Sequence, residues 1–225
     1  MRYTSHEAAK EAILEAGRRL YQRGYVCAND GNISARMEDG TVWVTPTGVS
    51  KGFMTAEQLV RLAPDGSVVE GTWKVSSESA MHLSIFRENP DLGGIVHAHP
   101  SGATAYSTLG KTFDLAISLD AVVQHGVLPC APYAATGSPK LAEYACRYCN
   151  EYYAVLLEHH GAVTWGSTVE QALFRMECVE QTFTLYERMR SLGEIRLLTE
   201  AQLDELETVK QRLGITKGGR MKGRP

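Results

Sequence analysis

Ile95-Val96-His97-Ala98-His99-Pro100 decides how this sequence is read. An apolar run over residues 92–96 leads into it and a proline closes it. On an extended strand, residues two apart share a face, so His97 and His99 point the same way. Proline is tolerated at a strand end or edge, which puts the pair where a sheet stops. In α/β proteins that is where binding clefts open. Two imidazoles on one face can reach a single metal ion, although a metal site needs further ligands. The plainer alternative is two unrelated histidines, one solvated and one hydrogen-bonded.

Working outward, a further ligand candidate follows the apolar strand at residues 153–158. His159-His160-Gly161 ends that strand, and residues 162–165 can pair back. Glycine there lets the backbone bend so that an imidazole faces a cleft. Periodicity alone leaves His159 and His160 open as alternatives. Three imidazoles with a free position make a catalytic zinc site, not a closed structural one. His6, His82 and His125 have no partner at ligand spacing and read as solvated or packed.

Ser76-Ser77-Glu78 places two hydroxyls at a helix entry, where free N–H groups and the helix dipole favour an anion. Simple capping is the commoner use of serine there. A phosphate site needs more donors, and Asn32 and the Thr47-Gly48 turn offer them, although turns are normally built from such residues.

Bulk properties exclude several classes. The chain has 225 residues, 44% apolar and 22% charged, enough for a core without staples. A net charge of -3 gives no electrostatic case for nucleic acid or an anionic membrane. No run has the length of a transmembrane helix, and the first residues lack the apolar core of a signal peptide, so a cytoplasmic protein is expected. Five scattered cysteines argue against a disulfide framework. Cys146 and Cys149 share a helix face, lack the second pair a structural zinc would need, and read as packed thiols.

Along the chain, Thr4-x-x-Glu7 reads as a capping box for a helix that stops at Gly24. Asp39-Gly40 marks a hairpin. Thr55-x-x-Gln58 starts a short helix, residues 67–70 a strand, and residues 73–78 enter a helix that carries Met81, Ile85 and Phe86 and stops before Pro90. Residues 121–129 are apolar, lack helix signals and read as a strand. Ser138-Pro139 opens a helix. Ser167-x-x-Glu170 caps a long helix ended by Gly193, and Thr199-x-x-Gln202 starts the last. Residues 217–225 read as a frayed basic tail. The sum is one α/β domain over residues 1–216 with a mixed, largely antiparallel sheet.

Gly31-Asn32-Ile33-Ser34, Thr45-Pro46-Thr47-Gly48, Ser76-Ser77-Glu78, His97-Ala98-His99, Cys130-Ala131-Pro132-Tyr133 and His159-His160-Gly161 together resemble the class II aldolase/adducin family, most of all its L-fuculose-phosphate aldolases. The resemblance spans about residues 5 to 215. It implies a three-layer α/β/α domain, a homotetramer with sites at subunit boundaries, and one zinc ion per subunit on His97, His99 and His160. It implies Glu78 as catalytic acid/base, with a pKa tuned toward neutrality, and Asn32, Thr47, Gly48, Ser76 and Ser77 as the holders of a substrate phosphate. Lys74 is left as a surface or secondary phosphate contact. The implied reaction is reversible cleavage of a ketose 1-phosphate to dihydroxyacetone phosphate and an aldehyde, by an enzyme with no nucleic-acid or membrane partner. The family's two aldehyde-side tyrosines fall near Ser118 and Leu213 and are replaced here, which suits a smaller or more apolar aldehyde, as in relatives acting on 5-deoxy- or methylthio-pentulose phosphates. Similar 4-epimerases have aspartate where Glu78 stands, and phosphotetronate decarboxylases have lysine at the Ser77 position. Adducin-like members are non-catalytic interaction modules.

Overall fold

A computed structural model describes residues 2–224. The chain runs through α1 (His6–Gln22), β1 (Asn32–Arg36), β2 (Val42–Val44), a 3₁₀ turn (Ala56–Gln58), β3 (Val60–Leu62) and β4 (Val68–Glu70). Then come α2 (Ser79–Glu88), β5 (Gly94–Ala98), α3 (Ser101–Ser107), α4 (Leu119–Gln124), β6 (Cys130–Ala131) and α5 (Pro139–Cys146). It finishes with β7 (Ala154–Leu157), β8 (Gly161–Gly166), α6 (Val169–Leu192) and α7 (Glu200–Arg212). Among the described residues the strands form one sheet in the order β4-β3-β2-β1-β5-β8-β7-β6. All neighbours are antiparallel except β6 and β7.

Strand periodicity divides the core into two layers. Ile33, Ala35, Val96, Ala98, Ala154 and Leu156 pack with α1, α4 and α6 on one face. Val42, Val44, Ile95, Val155, Val163 and Trp165 pack with α2 and α5 on the other. The result is the expected three-layer α/β/α sandwich around a mixed, largely antiparallel sheet. On the α2 face, β1 presents Asn32 and Ser34, and β5 presents His97, directly opposite Asn32 in register. The polar cluster thus lies where two central strands meet a helix entry.

Several boundaries differ from the sequence reading. Ser5, not Thr4, caps α1 by accepting from the amide of Ala8, and Thr168, not Ser167, caps α6 by accepting from Gln171. The 3₁₀ turn and α7 do carry the capping boxes expected at Thr55 and Thr199. Residues 119–124 are helical, not extended: the Ser118 hydroxyl accepts from the amide of Ala121, and Ala121, Val122 and Val123 are buried against α6 and α7. Tertiary burial there overrides the weak helix propensity of paired valines. Strand β3 and helix α3 carry no clear signal in the sequence.

The basic tail is not frayed over its described residues. Lys222 and Arg224 donate backbone hydrogen bonds to Asp114 and Leu198, and Met221 is only 2% exposed in the cluster that holds Leu203 and Leu206. Paired backbone and a buried thioether hold the segment down. Met221→Ala is expected to cost about 2 kcal/mol or more of stability, measured from the denaturant midpoint. A cost near zero would restore the frayed reading.

Candidate metal and acid/base site

His97 is the next-to-last residue of β5 and has no solvent exposure. Its Nδ1 lies 2.9 Å from the carbonyl of Ala162 on the neighbouring strand β8, so it donates there and leaves Nε2 turned into the cleft. His99 stands just past the strand, its Nε2 3.1 Å from that of His97. Its Nδ1 lies 3.6 Å from Asp30 Oδ2.

The turn from β7 to β8 supplies the third imidazole. His159 takes a left-handed φ of +57° and turns to solvent, while His160 turns in, its ring centroid 4.8 Å from those of His97 and His99. The sharp bend sits at His159, not at Gly161 as the sequence suggested. Glycine is needed at 161 for a different reason: a Cβ there would lie 2.6 Å from the Ala98 carbonyl oxygen and 2.8 Å from the His99 ring. The missing side chain lets the two histidine-bearing segments touch.

Glu78 closes the cluster from the N-terminal end of α2. Its Oε2 lies 3.3 Å from His97 Nε2 and accepts at 2.7 Å from the amide of Asn32; its Oε1 lies 3.5 Å from His160 Nε2. One turn further on, the Nδ1 of buried His82 meets the Ser34 hydroxyl at 2.6 Å. Two residues along a strand span about 6.7 Å and four along a helix about 6.0 Å, so the two elements meet in two matched rungs. The sequence reading gave Ser34, His82 and Asp30 no role at the site. His82 one helical turn after Glu78 was the available signal.

The electrostatics follow from burial and from one carboxylate. Burial opposes a charge on His97, but Glu78 outweighs it and raises the pKa. His99 and His160 are pushed down to about 4, first by burial and then by His97, so both are neutral near pH 7. Burial works against ionisation of Glu78, yet His97, His160 and Asn32 together hold it below the usual carboxylate range. The resemblance had implied tuning toward neutrality. The opposite direction follows first from the His97 imidazole 3.3 Å away.

The donor set fits a metal ion. One ligand nitrogen from each of His97, His99 and His160 lies within 4.8 Å of the others. Tetrahedral zinc, at about 2.0–2.1 Å from each nitrogen, asks for nitrogens about 3.3 Å apart. Two neutral imidazoles and a third facing a carboxylate form the set such a cation satisfies, and Glu78 Oε1 is buried without a hydrogen-bond partner.

The phosphate candidates divide. Thr47 and Gly48 are exposed on a turn that pairs with residues 74–75, the Thr47 amide donating to the Lys74 carbonyl at 2.9 Å. This sets them beside exposed Ser77 and half-buried Ser76, whose hydroxyl accepts from the Glu78 amide at 3.3 Å. Asn32 lies below this rim, buried, with its amide engaged by Glu78. Lys74 is exposed beside the same turn. Ser118 is committed to its helix cap, and Leu213 is exposed at the end of α7. His6 and His125 are held elsewhere, against Trp43 and Thr182.

This chain matches the profile of the Class II Aldolase and Adducin N-terminal domain over residues 11–186. A 3-oxo-tetronate 4-phosphate decarboxylase of Haemophilus influenzae is 35% identical over 205 residues, spanning 89% of this chain and 96% of that protein. An L-fuculose phosphate aldolase of the same organism is 36% identical over 194 residues, spanning 86% and 89%. A solved L-fuculose 1-phosphate aldolase superposes with a TM-score of 0.84 at 26% identity, over 93% of this chain and 99% of the other. The profile covers most of the chain and the fold agrees throughout: the protein belongs to the class II aldolase and adducin family.

Proposed function

We propose that this protein is a zinc-dependent aldolase that cleaves a ketose 1-phosphate, L-fuculose 1-phosphate or a related deoxy-ketose 1-phosphate, to dihydroxyacetone phosphate and a small aldehyde. The observation that carries this reading is a carboxylate, Glu78, held against two imidazoles of a three-histidine cluster beneath a rim of hydroxyl and amide donors. Zinc on His97, His99 and His160 would supply electrophilic stabilisation of the negative charge that develops on oxygen as the bond between carbons 3 and 4 breaks.

The chain's own residues do the rest. Glu78 gives carbon 3 its proton in the cleavage direction and removes it in condensation. The electron pair of the broken bond stays on carbon 3, and the carbon 4 hydroxyl loses its proton as the aldehyde forms. Neither Ser118 nor Leu213 is suited to take that proton. Thr47, Gly48, Ser76 and Ser77, with Asn32 beneath them, hold the phosphate by neutral donors and orient the reacting bond. Five free thiols suit a reducing, cytoplasmic setting.

Decarboxylation of a 3-oxo acid phosphate is the second reading, favoured by the 35% identity to the decarboxylase relative. It too leaves electrons on the carbon beside a ketone. Serine at position 77, where the resemblance implies lysine for that branch, argues for the aldolase.

The deciding assay offers ketose 1-phosphates and a 3-oxo-tetronate 4-phosphate in parallel, with and without a chelator. Chelator-sensitive release of dihydroxyacetone phosphate together with an aldehyde from a ketose 1-phosphate is expected. Release of carbon dioxide with dihydroxyacetone phosphate from the 3-oxo-tetronate 4-phosphate, with no ketose 1-phosphate cleaved, would replace the aldolase with the decarboxylase. Glu78→Gln is expected to keep its metal and lose about 10²–10⁴-fold in turnover, so unchanged turnover removes Glu78 from the mechanism. His97→Ala should lose metal and activity together, and stoichiometric zinc in that variant contradicts the ligand assignment. Gly161→Ala should fold, by circular dichroism, yet bind zinc about 10–100-fold more weakly, because its methyl would displace the His99 ring.

A further inference from the structure

One buried charge stands outside the chemistry above. Lys51 is 1% exposed, a level lysine rarely reaches unless its ammonium is paired. Its Nζ donates to two backbone carbonyls, Val49 at 2.7 Å and Asn29 at 2.9 Å. Burial lowers its pKa to about 8, partly offset by Asp30, so it still carries its proton near pH 7. The backbone at Lys51 is itself pressed against α1, where a Cβ on Gly17 would lie 2.4 Å from the Lys51 carbonyl oxygen.

The two carbonyls belong to the two turns that border the cleft. Asn29 precedes Asp30, which faces His99, and lies three residues before Asn32, which holds Glu78. Val49 directly follows Thr47-Gly48. Pairing of the strands that flank these turns ends at Thr45, whose amide donates to Ile33 at 3.1 Å. Beyond that point the ammonium continues the link. It also places a positive charge beneath a rim whose other donors are neutral, and a charge in a poorly solvated position acts over a longer range than one in water.

We propose that Lys51 is a positioning residue that clamps the turn at 27–31 to the turn at 46–50 and holds the phosphate donors in register beneath a dianion. This rests on the reading of that rim as the phosphate site. Lys51 touches neither substrate nor metal in this account, so its removal acts on affinity and not on the chemical step.

The test titrates inorganic phosphate into the zinc-loaded protein by calorimetry, alongside zinc content, melting temperature, KM and kcat for a ketose 1-phosphate. Lys51→Met keeps the stem and removes the buried charge, and leaves the Val49 and Asn29 carbonyls without that donor, which costs stability. Lys51→Gln removes the charge while keeping one donor, and serves if the first variant does not fold. Either is expected to weaken phosphate at least tenfold and raise KM in parallel, with kcat within threefold and zinc unchanged. Lys51→Arg, which keeps charge and donors, should recover most of the loss. A folded Lys51→Met or Lys51→Gln protein that binds phosphate as tightly as wild type overturns the proposal. A fall of zinc content, kcat and phosphate affinity together with the melting temperature overturns it too, because that is general loosening. Thr47→Ala and Ser77→Ala separate the two levels. If wild type binds no phosphate, or these variants bind it undiminished, the phosphate reading of the rim fails. If they weaken it and Lys51→Met does not, the clamp alone fails.

Discussion

A histidine with no exposed surface must have both ring nitrogens answered, because an unpaired buried polar atom costs about 1–3 kcal/mol. His97 meets this condition from two directions. The Ala162 carbonyl on β8 takes the Nδ1 proton, and the Glu78 carboxylate faces Nε2. The first contact depends on the antiparallel register of β5 with β8, the second on where α2 begins. A shift of one residue in either strand would turn His97 to the other face. The register of the central strands and the acid/base geometry are therefore one constraint.

That constraint explains which parts of the site could be read from sequence. Alternation put His97 and His99 on one face, and the structure brings their Nε2 atoms within 3.1 Å. Alternation could not choose between His159 and His160, because His159 leaves the strand with φ +57° and the period of two stops there. Sequence gave the capping boxes at Thr55 and Thr199 because they are local. It missed α4, whose Ala-Val-Val segment is helical only because α6 and α7 cover it. The tail is opaque for the same reason: a basic, glycine-rich segment has no intrinsic preference, and its backbone is held by Asp114 and Leu198, which lie elsewhere in the chain.

Gly161 shows why a residue can be picked out correctly for the wrong reason. The sequence argument gave it a bend. The structure gives it a close approach, with the Ala98 carbonyl and the His99 ring occupying the space a side chain would fill. Such packing between segments 62 residues apart in the chain (99 against 161) leaves no mark in local periodicity. Ser34 left no mark on the same grounds, and His82 left only its spacing of one helical turn after Glu78. Only when β1 is laid on α2 do two residues along the strand match four along the helix.

The direction of the Glu78 shift bears on how the site divides its labour. A carboxyl held below its usual range is a poor proton store but a good counter-charge, and Glu78 faces two of the three imidazoles in that role. A divalent cation would be held by His97, His99 and His160, and would supply positive charge beside Glu78. The cluster thus suits a site made to receive a cation: two imidazoles already neutral, a third facing a carboxylate, and that carboxylate the group the proposed chemistry needs.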